Sequence, residues 1–252
     1  MSGDQGARGR RDTIEVVCLD AAGTLIHVRG SVGQQYAAVA RRFGVDVDPA
    51  ALDAGFPAAF RAAPPMAFPG ARPDAVPALE RGLWRDLVRG LVERAGCARA
   101  LDAVGFEAYF DALFAHFGTP AAWELFADVR PALEAIRARP CRTALVSNFD
   151  GRIVPLLRGL GLAAAFDAVV LSSRVGAVKP DPRIFEAALR ALSVPARSAL
   201  HVGDSPREDE AGARAAGLHA VLLDRDGRHP GVSPDARITS LLELLPRLDG
   251  RA

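Results

Sequence analysis

From Ile14 to Leu19 the chain runs through apolar, largely β-branched residues (IEVVCL) and then breaks at Asp20-Ala21-Ala22-Gly23-Thr24. A short apolar run ending in a polar, Gly-containing break predicts a buried strand feeding a tight turn. Four later runs have the same character: Thr143 to Val146, Ala168 to Leu171, Ala199 to Val202 and Ala220 to Leu223. Helical periodicity marks Pro131 to Arg139, Arg152 to Leu160, Pro182 to Leu192, Glu208 to Ala216 and Ile238 to Leu245, and several of these open with Pro and close near Gly. Strands alternating with helices predict an α/β fold, a parallel sheet covered by helices on both faces.

Between Ser31 and about Thr119 the strand pattern stops. Leu83, Trp84, Leu87, Val88, Leu91 and Val92 fall at i, i+3/i+4 spacing, so an α-helical insertion is expected over residues 31–119, dividing a core of 13–30 and 120–252. Pro64, Pro65, Pro69, Pro73 and Pro77 punctuate an expected loop inside it, either a functional segment or a plain connector. Residues 1–12 are polar and Arg-rich and read as a disordered tail.

Composition narrows the partners. The 31 basic residues nearly cancel the 30 acidic ones, so no global field draws the protein to nucleic acid or to an anionic membrane. Nor does any apolar run approach the length of a spanning helix. The three cysteines, Cys18, Cys97 and Cys141, form no CxxC pair and no disulfide framework, which fits a reducing cytoplasm. A small-molecule partner is the expectation.

In an open parallel sheet ligands bind beyond the carboxyl ends of the strands, so the residues just after each apolar run matter most. Those positions hold Asp20, then Ser147-Asn148, then Lys179-Pro180, then Gly203-Asp204-Ser205 with Asp209 five residues past Asp204. Singly, each has a plain structural role: Asp20 or Asp204 can cap a turn or helix, Ser147 and Asn148 can begin one, and Lys179 can sit on the surface. Together, a nucleophilic carboxylate, a hydroxyl, a lysine and a second carboxylate are what phosphoryl transfer through an aspartyl intermediate needs. Lys179 is also the only lysine in the chain, every other basic residue being arginine, so a compact ammonium has been placed where a point charge is wanted.

As a set, Asp20-Ala21-Ala22-Gly23-Thr24-Leu25, Ser147-Asn148, Lys179-Pro180 and Gly203-Asp204-Ser205 with Asp209 resemble the four motifs of the haloacid dehalogenase superfamily, and the match runs from about Ile14 to Leu223. More narrowly, Val32 to Tyr36, Ser147 to Asp150 and Lys179 to Phe185 resemble the branch typified by the fly rhythmically expressed gene 2 protein. The resemblance implies a Rossmann-like core with a helical cap. It also implies Asp20 as the nucleophile of a hydrolase acting on a small phosphorylated substrate. Asp20, the carbonyl of Ala22 and Asp204 would hold Mg²⁺. Ser147, the backbone near Asn148 and Lys179 would bind the phosphoryl oxygens, and Asp209 would either orient water on the metal or pair with Lys179.

One position departs from that pattern. Phosphatases of the superfamily carry a second Asp two residues after the nucleophile, which protonates the leaving group, and here it is Ala22. Asp150 and His27 are the candidates to replace it, although both also fit solvated loops. Haloacid dehalogenases lack that acid too, but they carry Tyr at this position and use no metal, which the Gly203-Asp204 pair counts against. Phosphonoacetaldehyde hydrolase carries Ala there and needs a cap lysine, which this chain lacks. A weakly catalytic protein that binds a phosphorylated metabolite remains the alternative from another class.

Overall fold

A computed structural model describes residues 13–249; the amino-terminal tail expected over 1–12 lies outside them. Eight strands are present among these residues: β1 Val16–Leu19, β2 Ile26–Val28, β3 Trp123–Leu125, β4 Arg142–Ser147, β5 Ala168–Leu171, β6 Ala199–Gly203, β7 His219–Leu223 and β8 Arg237–Ile238. Six of them form one parallel sheet in the order β5-β4-β1-β6-β7-β8. All four residues of β1 are buried, as a central strand covered on both faces must be.

Side chains alternate across a strand, and β1 divides accordingly. Val17 and Leu19 join one core with Leu145, Leu200 and Val202, covered by α6 (Val129–Arg137) and α7 (Ile153–Gly159). Val16 and Cys18 join the opposite core with Ala144, Val146, Ile184 and Phe185, the last two from α9 (Pro182–Leu192).

Five further helices, α1 Val32–Arg41, α2 Pro49–Ala62, α3 Val76–Arg94, α4 Ala98–Val104 and α5 Phe106–His116, follow one another between β2 and β3. They bury their own apolar cluster around Tyr36, Leu91, Leu101, Tyr109, Phe110 and Leu113. The chain leaves and returns through an antiparallel pairing of β2 with β3, in which Ile26 faces Leu125 and Val28 faces Trp123. Three-residue strands are too short to show a period, which is why the sequence pattern does not reveal this pair.

Other expectations need correcting. Ile238 ends β8 instead of opening a helix, and the helical turns after it begin only at Leu241, behind a capping box made by Ser240 and Glu243. The expected helix from Glu208 to Ala216 is a widened π-type turn at Pro206–Ala211 followed by the short α10 (Gly212–Ala215). Helix α6 begins two residues before Pro131, which sits within the first turn where its missing N–H costs nothing. Pro77 likewise lies in the first turn of α3, while Pro64, Pro65, Pro69 and Pro73 do fall in a non-helical stretch over 63–75.

Two separate apolar clusters make a direct prediction. Leu145→Ala in the sheet core and Leu101→Ala among α1–α5 each remove a fully buried side chain, and each should cost about 2–5 kcal/mol in urea unfolding. A loss below about 1 kcal/mol for either would show that its cluster is loosely packed.

Candidate functional site

The sheet order places β1 between β4 and β6, with Leu19 level with Leu145 on one side and Val202 on the other. Asp20, Ser147 and Asp204 therefore emerge side by side at one edge, each at or just past the end of its strand. The turn after Asp20 is tied by the Leu25 and Ile26 amides donating to the Ala21 carbonyl at 2.7 and 3.0 Å. Gly23 has φ +82°, and a Cβ there would lie 2.3 Å from an Asp204 carboxylate oxygen, so glycine is required on both counts. Arg225 donates to the Thr24 carbonyl at 2.8 Å and is itself paired with Asp128, fixing the far side of the turn.

Lys179 comes from the loop between α8 (Ser172–Val175), the short helix that follows β5, and α9, and is buried, with 2% of its side chain exposed. Its Nζ donates to Asp20 Oδ1 at 2.7 Å and to Asp209 Oδ1 at 2.6 Å. Burial works against the ammonium, but the two carboxylates outweigh it and hold Lys179 above the usual lysine range. Asp209 is buried as well, yet Lys179 and His201 hold it well below the usual carboxylate range. Both Asp209 oxygens are occupied: Oδ1 also meets His201 Nε2 at 2.9 Å, and Oδ2 accepts from the Ser205 amide at 2.9 Å. Gly203 makes this approach feasible, since a Cβ there would come within 2.1 Å of the Asp209 carboxyl carbon.

Asn148 staples the loop after β4 to this centre. Its Oδ1 accepts from the Lys179 amide at 2.7 Å, while its Nδ2 donates to the Lys179 carbonyl and to Glu208 Oε2, both at 3.1 Å. The Asn148 side chain is thus spent on protein contacts, and Ser147 ends β4 buried beside it. Asp204 is only partly buried. Burial, followed by the charges of Asp20 and Asp209, pushes its carboxyl up to about 7.

The carboxylates of Asp20, Asp204 and Asp209 lie within 4.8 Å of one another. Because Asp209 has both oxygens engaged, the donors open to a cation are those of Asp20 and Asp204. Hard oxygen donors with unrelieved like-charge repulsion fit a small divalent cation.

Neither candidate for the acid missing at Ala22 points clearly to that task. Asp150 is fully buried, and its carboxylate is held by Trp84 Nε1 at 2.6 Å and by Arg152 at 2.7 Å. His27 lies on β2, its ring 4.7 Å from that of Phe126 and its Nδ1 3.2 Å from the Val28 carbonyl. Two further residues stand at the site, His201 against Asp209 and Glu208 against Asn148. His201 was visible as the one polar side chain inside the apolar run of β6. Glu208 hides in the gap between Asp204 and Asp209, where spacing alone gives no signal; burial raises its carboxyl above the usual range.

A profile of the haloacid dehalogenase-like hydrolases matches residues 14–217. The chain belongs to this family. It is 37% identical over 242 residues to the mouse haloacid dehalogenase-like hydrolase domain-containing protein 3, covering 91% of this chain and 92% of that one. It is 27% identical to the Drosophila melanogaster rhythmically expressed gene 2 protein over 82% of each chain, which bears out the resemblance to that branch. A phosphoserine phosphatase of Thermus thermophilus shares 39% identity over 137 residues, 52% of this chain and 53% of its own. Among solved structures, a HAD phosphatase from Thermococcus onnurineus (22% identical, covering 94% and 98% of the two chains) and a 2-haloacid dehalogenase from Pseudomonas syringae (25%, covering 94% and 99%) both superpose with a TM-score of 0.63. The protein is a hydrolase of this family, and the shared fold does not separate the two chemistries.

The elevated Asp204 carboxyl has a measurable consequence. Between the unfolded value near 4 and the folded value of about 7, the folded state binds the extra proton, so this group's contribution to stability falls as pH rises through that window. In metal-free protein, Asp204→Asn should therefore raise Tm at pH 8 and leave it nearly unchanged at pH 4, partial exposure limiting the gain. An equal change at both pH values would mean that Asp204 is not held against its neighbours' charges.

Proposed function

We propose that this hydrolase is a Mg²⁺-dependent phosphatase acting on a small phosphorylated metabolite through an aspartyl-phosphate on Asp20. One observation carries the reading: Lys179 bridges Asp20 and Asp209 while Asp204 stands beside them uncompensated, an arrangement suited to a phosphoryl group and a divalent cation together. The Thermus thermophilus relative, a phosphoserine phosphatase, points the same way.

In this reading an Asp20 oxygen attacks phosphorus, the Asp20–phosphorus bond forms as the ester bond breaks, and water then cleaves the acyl-phosphate. Lys179, the Ser147 hydroxyl and the backbone at Asn148 receive the charge on the transferring oxygens, with Lys179 and Asn148 preset by the contacts described above. Asp209 holds Lys179 in place from behind. Asp20, Asp204 and the Ala22 carbonyl would hold Mg²⁺, which supplies positive charge for the substrate dianion. Helices α1–α5 would act as the cap, the remaining sheet and helices as the core, and the absence of a spanning helix among the described residues is compatible with action in the cytoplasm.

The deciding experiment is a panel of phosphate esters with and without Mg²⁺, run beside 2-haloacids. Turnover of esters that needs Mg²⁺ and vanishes in both Asp20→Asn and Asp204→Ala is the expected result. Halide release without metal would make the protein a dehalogenase, and tight binding without turnover would make it a phosphometabolite-binding protein.

The methyl group at Ala22 sets a second expectation. With no acid there, departure should depend steeply on leaving-group acidity, so aryl and acyl phosphates turn over readily and alkyl phosphates slowly. Ala22→Asp should speed alkyl phosphates on the order of 10²-fold or more and change aryl phosphates little. A parent already fast on alkyl esters would place the proton elsewhere, and Glu208→Gln is then the variant that should lose it.

A further inference from the structure

Helix α3 carries Glu80 and Trp84 four residues apart, hence on one face, and both reach the loop that follows β4. Glu80 Oε1 accepts from the Gly151 amide at 3.0 Å, and Trp84 Nε1 donates to Asp150 Oδ2 at 2.6 Å. Asp150 in turn binds the Arg152 side chain at 2.9 and 2.7 Å and the Arg152 amide at 2.9 Å. The Arg152 guanidinium lies 4.8 Å from the Trp84 ring and 4.0 Å from the Phe114 ring of α5, and donates to the Phe114 carbonyl at 3.3 Å. Asp150 is fully buried, so its carboxylate accepts these bonds out of contact with water, where losing a partner is most costly.

A second anchor lies in the proline-punctuated stretch just before α3. The buried Ser172 hydroxyl donates to the Met66 carbonyl at 2.6 Å, and at Gly176 a Cβ would come within 3.0 Å of the Pro69 Cα. Gly176 stands three residues before Lys179. Residues 66–84 of the helical insertion therefore grip both the loop that begins with Ser147-Asn148 and the loop that delivers Lys179.

We propose that Trp84, acting through Asp150 and Arg152, is a positioning residue that sets the Ser147-Asn148 loop for its work on the substrate. The site loop is then held from two sides: Asn148 ties it to the Lys179 backbone from below, and Asp150 ties it to α3 from above. This also gives Asp150 a role other than the acid expected from its place two residues past Asn148. The catalytic part of the proposal rests on the phosphatase reading, whereas the mechanical part does not.

The test is Trp84→Phe, which keeps an aromatic ring near Arg152 and removes the N–H donor together with part of the indole ring. Amide hydrogen exchange in the substrate-free variant should quicken on the order of 10-fold over residues 148–152 while β4 and the α1–α5 cluster stay unchanged. With p-nitrophenyl phosphate and Mg²⁺, kcat should fall between about 10- and 100-fold, with KM and Tm little altered, because slightly misplaced groups lose mostly transition-state contact. Unchanged exchange over 148–152 overturns the proposal. So does local loosening with kcat intact, or a loss of kcat accompanied by a global rise in exchange and a fall in Tm. Should the parent cleave no phosphate ester, the phosphatase reading fails by itself, and the exchange result still decides whether Trp84 holds the loop.

Discussion

The buried ammonium of Lys179 is the constraint around which the site is arranged. A lone charge 2% exposed would be untenable, and it persists because Asp20 and Asp209 meet it at 2.7 and 2.6 Å. Each partner then needs its own support. Asp209 takes a bond from His201 and one from the Ser205 amide, and Gly203 leaves room for it by having no side chain. Asn148 brackets the Lys179 backbone on both its amide and its carbonyl. Strands β1, β4 and β6 must be neighbours for these groups to meet, so the sheet order and the charge cluster specify one another. Removing any one member leaves a buried charge or donor without its partner, which costs more than the contact itself contributes.

The same constraint explains the choice of lysine in a chain whose other basic residues are all arginine. A guanidinium is a broad planar fork suited to one bidentate carboxylate, whereas an ammonium is compact and can divide its donors between two carboxylates approaching from different directions. That division is what the structure shows. The compositional oddity visible in the sequence is thus a packing requirement at one point in the fold.

Much of the fold and site was legible because it rests on short-range signals. Five of the six strands of the core sheet stand out as apolar runs, and the candidate site residues as breaks just beyond them, since a parallel sheet buries its strands and exposes their carboxyl ends. What escaped is non-local or too short to carry a period. The β2–β3 pair joins residues almost a hundred positions apart through three-residue strands. The strand at Arg237–Ile238 was absorbed into a helical pattern because two residues cannot establish alternation. The π-type turn at Pro206–Ala211 broke an otherwise helical sequence to bring Asp209 back to Lys179, a tertiary demand that local propensity cannot foresee. Asp150 reads from sequence as an acid or a solvated loop residue, because its partner Trp84 lies 66 positions away on α3.

Electrostatically the site has two unequal halves. Asp204 and Asp209 are five residues apart and belong to one turn, yet their carboxyls are driven in opposite directions, Asp209 down by Lys179 and His201, Asp204 up by burial and by its acidic neighbours. Lys179 satisfies one side of the cluster and leaves the other short of positive charge. A phosphate dianion arriving alone would meet Lys179 but would also worsen the repulsion around Asp204. Asp20, Asp204 and Asp209 set three negative charges against the single ammonium of Lys179, so a divalent cation would bring the cluster near balance and relieve Asp204. In the proposed reaction the cation would therefore have to precede or accompany the oxyanion, whereas a haloacid carboxylate, with a single negative charge and no need of a metal, would leave the Asp204 half uncompensated.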